Sequence, residues 1–167
     1  VIKLKRDFFL QDSVLVAKQL LYKKLHFYGK SVIITETECY SGMGDPACHA
    51  RFGQTQRNFP MFGECGFSYV YLIYGIYYCL NFVTEKKGYP AAILIRGGHD
   101  SKAHYDGPGK LCRYLGITKE HNNVDIVSND NFFIEDINFE SKYIASSRIG
   151  IKAGLDKQWR FLAEKIV

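Results

Sequence analysis

Along most of this chain apolar and polar positions alternate with the two-residue period of a β-strand, and two stretches keep a helical period instead. The first follows Asp12, a good N-cap, with Leu15, Val16, Leu20 and Leu21 at helical spacing and Lys18 and Gln19 on the outer side. Residues 23–28, a turn at Gly29-Lys30 and residues 31–37 then read as a hairpin, in which Val32-Ile33-Ile34 is continuously apolar, as in a strand covered on both faces. Periodicity is lost over residues 41–66, a glycine-rich loop holding His49, Arg51, Arg57 and Asn58; loops this long inside compact domains are usually functional. A second hairpin, residues 69–81, reverses at Gly75, and the turn Glu85-Lys86-Lys87-Gly88 leads to a buried strand, residues 91–96, ending in Arg96. A polar loop is expected over residues 97–106. Pro108 then opens a short helix that Gly116 stops, and its free N–H groups with Lys110 could hold a phosphate. Residues 131–135, 143–151 and 159–162 read as further strands between Asn, Asp and Gly turns. Many strands and few helices predict an α+β fold: one mixed domain over residues 1–167, with a curved, mainly antiparallel sheet and a protruding hairpin.

The second hairpin departs from an ordinary core pattern because Tyr69, Tyr71, Tyr74, Tyr77 and Tyr78 all fall in it. Strand parity sends Tyr69 and Tyr71 to one face and Val70, Leu72 and Tyr74 to the other, so Tyr71 and Tyr74 cannot share a task. One could line a pocket while the other projects near the tip. A plain hairpin with an apolar face and hydroxyls at its rim fits the same pattern. At the end of the first hairpin, a strand that persists would put Glu36, Glu38 and Tyr40 on one face, bringing a carboxylate and an aromatic ring into one cleft.

Composition narrows the class. The chain has 167 residues, 47% hydrophobic and 23% charged, enough for one full core. A net charge of +5 permits a polyanionic partner without demanding one. Five cysteines, an odd number with no Cys-x-x-Cys pair, argue against a disulfide framework and for a reducing compartment. No apolar run is long enough to span a membrane, so a cytoplasmic protein is expected.

Four chemistries compete for the polar residues. Structural zinc needs close ligand pairs, and Cys48-His49 with distant Cys65 and Cys79 lacks them; no metal or other cofactor is expected. A zinc deaminase needs His-x-Glu and Pro-Cys-x-x-Cys, both absent. A thiol nucleophile needs a base placed beside it, which adjacency of Cys48 and His49 in sequence does not establish. The fourth reading joins Glu38, Tyr40, His49, Tyr71 and Tyr74. An enzyme that excises a purine must extrude it and prop the gap, which a tyrosine wedge can do. Electron-rich rings at Tyr40 and Tyr71 would favour an alkylated, cationic base by about 0.5–2 kcal/mol per ring. Breaking the glycosidic bond then needs a water and a carboxylate that both deprotonates it and stabilises the developing charge, which Glu38 could supply. A non-catalytic nucleic-acid-binding domain using the same hairpin is the competing class.

The run Glu36-Thr37-Glu38-Cys39-Tyr40, then His49, Thr55-Gln56-Arg57-Asn58, Met61-Phe62, the hairpin 69–81, the strand ending in Arg96, Gly107-Pro108-Gly109-Lys110-Leu111-Cys112 and Arg148-Ile149-Gly150-Ile151 together resemble the alkyladenine (3-methyladenine) DNA glycosylases of the methylpurine type. The resemblance spans residues 18–161. It implies a monofunctional base-excision enzyme acting on double-stranded DNA that contains damaged purines, with a hairpin that enters the minor groove; no lysine occupies a nucleophile position, so no lyase activity is expected, and a monomer is expected. By matching position the resemblance makes Glu38 the water-activating base, supported by Arg96, and encloses the flipped base with Tyr40, His49 and Tyr71. Asn81 screens against the amino group of normal guanine, Tyr74 intercalates, and Arg57, Gly109 and Lys110 meet the DNA backbone. The chain departs from the family pattern at Gln56, where proline is usual, at Gly97-Gly98-His99-Asp100 after the arginine, and at Gln158 before Trp159-Arg160-Phe161.

Overall fold

In a computed structural model, which describes residues 1–137 and 142–164, the strand pattern closes into a single curled sheet. Its elements in order are α1 (Arg6–Phe9), α2 (Ser13–Gln19), β1 (Lys24–Phe27), β2 (Lys30–Ser41), β3 (Ser68–Ile73), β4 (Tyr77–Val83), β5 (Ala91–His99), β6 (His104–Asp106), α3 (Pro108–Leu115), β7 (Phe132–Glu135), β8 (Tyr143–Ser146) and β9 (Arg160–Ala163). The main path of the sheet runs β3-β4-β5-β2-β1-β7, with β6 on β5 and with β9 between β2 and β8. These pairings are all antiparallel. The fold is therefore a single mixed α+β domain, as the strand and helix periods predict.

β2 organises this sheet because it is 12 residues long and changes partners along its length. Lys30 to Ile33 pair with β1 and Glu36 to Glu38 with β9, while β5 runs along the other side from Ile33 to Ser41. The change falls at a bulge. Ile34 faces Gly98, Glu36 faces Gly97 and Thr37 faces Ile95, so Thr35 on one strand and Arg96 on the other have no opposite number. Such irregularities bend a strand and re-aim side chains. Glycine is required opposite the bulge: a Cβ on Gly97 would lie 2.9 Å from the Thr35 hydroxyl, and one on Gly98 3.2 Å from the Ile33 carbonyl oxygen. The expected polar loop at residues 97–106 is thus corrected. β5 continues through Gly97 and Gly98 to His99, and β6 pairs back onto it, because two glycines let the backbones close where side chains would hold them apart.

Asp12 caps α2 by accepting from the Leu15 N–H at 3.2 Å. Val16, Ala17, Leu20 and Leu21 are buried, and Thr37 donates from its hydroxyl to the Ala17 carbonyl at 2.8 Å, tying the helix to β2. Leu15 does not join this face; it is exposed. Ile33 is only partly buried between fully buried Val32 and Ile34, so this strand is covered completely on one face, not both. α3 starts at Pro108 and ends at Gly116, which takes the left-handed conformation (φ 88°) that an L side chain resists. The strands expected at residues 143–151 and 159–162 appear as β8 and β9, the first shortened to Tyr143–Ser146.

Residues 42–67 form no strand, yet they are ordered from within. Buried Asn58 donates to the carbonyls of His49 (3.0 Å) and Gly53 (3.1 Å) and accepts from the Thr55 N–H (2.7 Å), folding the segment around one side chain. Its apolar residues Cys48, Ala50 and Met61 make a second, smaller core with Tyr69, Val83 and Ala92. Parity decides this: Val70 points into the main core while Tyr69 and Tyr71 pack toward the loop.

Candidate active site

Between the loop, β2, β3–β5 and residues 149–153 lies a recess of about 900 Å³, within the range of ligand sites. Glu38, Tyr40, His49, Tyr71, Asn81 and Arg96 all line it, and Tyr74 and Arg57 stand at its mouth. Eight side chains that the sequence reading singled out thus converge from four strands, the hairpin tip and a loop.

Glu38 is at the floor with no exposed surface. Its Oε1 accepts from the Tyr40 hydroxyl at 2.8 Å and its Oε2 from the Ile149 N–H at 2.6 Å, while Arg96 Nε stands 3.8 Å from Oε2. Burial raises the carboxyl above its ordinary range; the Ile149 N–H, Arg96 and Tyr40 oppose the rise, and Glu36 adds to it. A carboxylate held this way is a stronger base than one in water, and each oxygen keeps a further lone pair for a water.

Tyr40 presents one face to the recess. Against the ring sits the Arg148 guanidinium, 4.8 Å from its centroid, which also lies 5.2 Å from the Trp159 ring. Arg148 and Asp45 form a fully buried ion pair at 2.6 and 2.9 Å, and Arg148 also donates to the Cys39 carbonyl at 2.9 Å. Asp45 also accepts from the backbone N–H groups of Ser41 and Ala47. Although burial pushes the Asp45 carboxyl up, Arg148 and those N–H groups outweigh it and hold the group below its usual range. Gly154 has to be glycine here, since a Cβ would come within 2.7 Å of Arg148 Nη2.

On the opposite wall His49 packs on Tyr71 with ring centroids 4.6 Å apart, and its Nδ1 lies 3.2 Å from the Tyr69 hydroxyl. The surrounding protein, then Arg57 and Arg51, draw the imidazole down to about 4, so it is neutral at pH 7 and does not repel a cation. The ring is exposed to the solvent of the recess, which restores part of its hydration. Asn81 is buried and donates to the Tyr69 carbonyl at 3.1 Å, leaving its Oδ1 with no donor among the described residues.

At the hairpin tip Tyr74 is 84% exposed and Ile76 66%. Tyr74 (φ 52°) and Gly75 (φ 67°) are both left-handed, the turn that reverses a two-stranded ribbon, closed by the Ile76 N–H on the Ile73 carbonyl at 3.1 Å. A tyrosine in that conformation is strained, and such strain collects at functional positions. Arg57 braces the hairpin from the loop, donating to the Leu72 carbonyl at 3.0 Å with its guanidinium 5.4 Å from the Tyr71 ring centroid. Gly109 lets the first turn of α3 abut the hairpin: a Cβ there would meet the Tyr77 ring at 2.8 Å. Lys110 is exposed beside it. Neither Gly109 nor Lys110 lines the recess.

Several contributors were given no role by the sequence reading, although Arg148 and Ile149 stand in the Arg148-Ile149-Gly150-Ile151 run. Ile149 acts through its backbone N–H, which no side-chain pattern encodes. Arg148, Asp45 and Arg160 lie far apart in the sequence, and nothing in their spacing pairs Arg148 with Asp45 or Arg160 with Glu36. Lys152 also reaches the rim. Glu36 shares the strand face of Glu38, as expected, yet does not line the recess, because its carboxylate is engaged by Arg96 and Arg160. Gly97, Gly98 and His99 are sheet residues away from the lining. Burial lifts the thiols of Cys48 and Cys79 to about 11, so neither is a ready nucleophile. Among the described residues no group of three or more His, Cys, Asp or Glu side chains is placed to hold a metal ion, and no helix is long and apolar enough to cross a membrane.

Comparison with known proteins puts this chain in the class of DNA glycosylases. The chain belongs to the methylpurine-DNA glycosylase family, whose sequence profile matches residues 7–166. It is 54% identical over 170 residues to a Rickettsia felis protein named "Putative 3-methyladenine DNA glycosylase", covering 100% of this chain and 96% of that protein. Proteins of the same name from Rickettsia rickettsii (54% identical, 99% and 92% covered) and Rickettsia prowazekii (43% identical, 97% and 95% covered) are similar over comparable lengths.

Proposed function

We propose that this protein is a monofunctional glycosylase that extrudes alkylated or deaminated purines, of the 3-methyladenine, 7-methylguanine and hypoxanthine type, from double-stranded DNA and hydrolyses the N-glycosidic bond, initiating base excision repair. The observation that carries this reading is Glu38: a buried, basicity-enhanced carboxylate at the floor of an aromatic recess whose mouth bears an exposed tyrosine wedge. A protein that only bound DNA would have no use for that carboxylate, which repels phosphate.

In this mechanism Tyr74 fills the gap left in the stack and the base enters between Tyr40 and the Tyr71–His49 wall. Both rings favour a cationic purine, and neutral His49 leaves that preference intact. Glu38 takes a proton from a water aimed at the sugar carbon and offsets the positive charge that develops as the bond stretches. A cationic base leaves as a neutral molecule without needing an acid, whereas a neutral base such as hypoxanthine takes up one proton through water as it departs, balancing the proton that Glu38 removes from the attacking water. Arg57 and Lys110 lie along the path of the phosphates. The enzyme needs no metal or cofactor and acts as a cytoplasmic monomer, with residues 1–167 as one glycosylase domain.

The test is incubation with duplexes carrying each lesion, counting released base, abasic sites and strand breaks. Abasic sites without breaks are expected. Absence of release from every duplex would sink the reading, and borohydride trapping of a protein–DNA adduct through Lys152 would overturn its monofunctional part.

The wedge is tested separately. Tyr74→Asn places at φ 52° a residue that tolerates the left-handed region, so the free protein should lose no stability. Loss of one aromatic–base stack, about 1–3 kcal/mol, should raise Kd for a lesion duplex roughly 5- to 150-fold, read by fluorescence anisotropy. Equal binding by both proteins contradicts a wedge.

A further inference from the structure

One carboxylate oxygen at the bulge serves two cations. Glu36 Oε2 accepts from Arg96 Nε at 2.9 Å and from Arg160 Nε at 2.7 Å, whereas the same Arg96 Nε stands 3.8 Å from Glu38 Oε2. The four side chains therefore alternate in sign, from Arg160 through Glu36 and Arg96 to Glu38. Their placement is topological. Glu36 and Glu38 share a strand face, Arg160 lies directly across from Glu38 in the β2–β9 register, and Arg96 is the residue that the β2–β5 register skips. Without Glu36, a guanidinium this near a buried carboxylate would close onto it as a charge-assisted pair, since that is the strongest partner available. Such a pair would occupy lone pairs that an attacking water needs.

We propose that Glu36 is a positioning residue for excision: it holds Arg96 back from Glu38, and Arg160 limits how strongly it does so. The inference rests on the reading of Glu38 as the base. Its consequences carry opposite signs for the two partners. Glu36→Gln removes a neighbouring anion and releases Arg96 toward Glu38, so both changes make Glu38 easier to ionise. Arg160→Gln removes a cation and leaves Glu36 wholly to Arg96, so Glu38 becomes harder to ionise. The other groups facing Glu38 are unchanged in either variant: Tyr40 on its own strand, Cys79 from β4, the Ile149 N–H and Arg148 behind Tyr40.

The experiment follows Glu38 directly by ¹³C NMR of the side-chain carboxyl in the free protein, assigned with Glu38→Gln, alongside single-turnover excision across pH. In Glu36→Gln the Glu38 titration and the acid limb of the rate profile should both move down by about one pH unit, and the plateau rate should fall about threefold as the base weakens. In Arg160→Gln both should move up. A purely structural role for Glu36 would lower amplitude without moving either titration. Unmoved titrations, or shifts of the same sign in both variants, overturn the inference. The NMR arm is independent of turnover, so absence of excision by the unmodified protein would defeat the glycosylase reading while still deciding what Glu36 does to Glu38.

Discussion

Glu38→Gln is expected to lower single-turnover excision of 3-methyladenine by about a hundred- to ten-thousandfold, the usual worth of a positioned general base, while leaving lesion-duplex affinity nearly unchanged. The amide fits the same hydrogen bonds, with its oxygen accepting from the Ile149 N–H and its NH2 donating to the Tyr40 hydroxyl. Stability gives an independent readout with a definite sign. The carboxyl is raised above its ordinary value of 4.5, so its contribution to stability is fully present below that value and is lost as pH rises through the folded-state value. At pH 7 the unmodified protein therefore bears the cost of a buried charge that glutamine does not. The variant should melt at the same or a higher temperature at pH 7, and the advantage should vanish near pH 4.5. Full excision by the variant would remove the mechanism; a lower melting temperature at pH 7 would show that the charge is better solvated than its burial indicates.

Arg148→Met should be the most destabilising single change around the recess, costing about 3–5 kcal/mol in chemical denaturation. The loss comes less from the pair itself than from what remains: Asp45, fully buried, would keep a charge without its cation. Arg148→Met combined with Asp45→Asn should recover part of the loss, and a double-mutant cycle measures how much. Excision should fall as well, because Arg148 anchors the segment whose next residue, Ile149, donates to Glu38. A loss below about 1 kcal/mol, the range of exposed pairs, would contradict the tightly packed arrangement.

Much of this was readable in one dimension. Asp12 announced α2, Pro108 and Gly116 bracketed α3, and the parity of residues 69–74 separated the wall tyrosine Tyr71 from the tip tyrosine Tyr74. Glu38 and Tyr40, two apart on a strand, had to share a face, and their side chains are hydrogen-bonded at 2.8 Å. These inferences rest on strand period, capping and turn chemistry, all properties of neighbours in sequence. The glycines at positions 97 and 98 misled the same reasoning. Local propensity favours a loop there, and the bulge of β2, over sixty positions earlier in the chain, requires a strand without side chains.

By itself, then, the sequence determined α2, α3, most of the strands, the second hairpin and the acid–aromatic pair at the end of β2. Only the tertiary structure decided what state that acid is in. Its N–H donor at Ile149 is 111 residues away, and the Glu36–Arg160 and Asp45–Arg148 contacts span 124 and 103 residues. Burial and opposed charges set a carboxyl's basicity through distances of a few ångströms. Distances of that kind exist only after β9 has paired with β2 and the Asp45 loop has closed over the segment that follows β8.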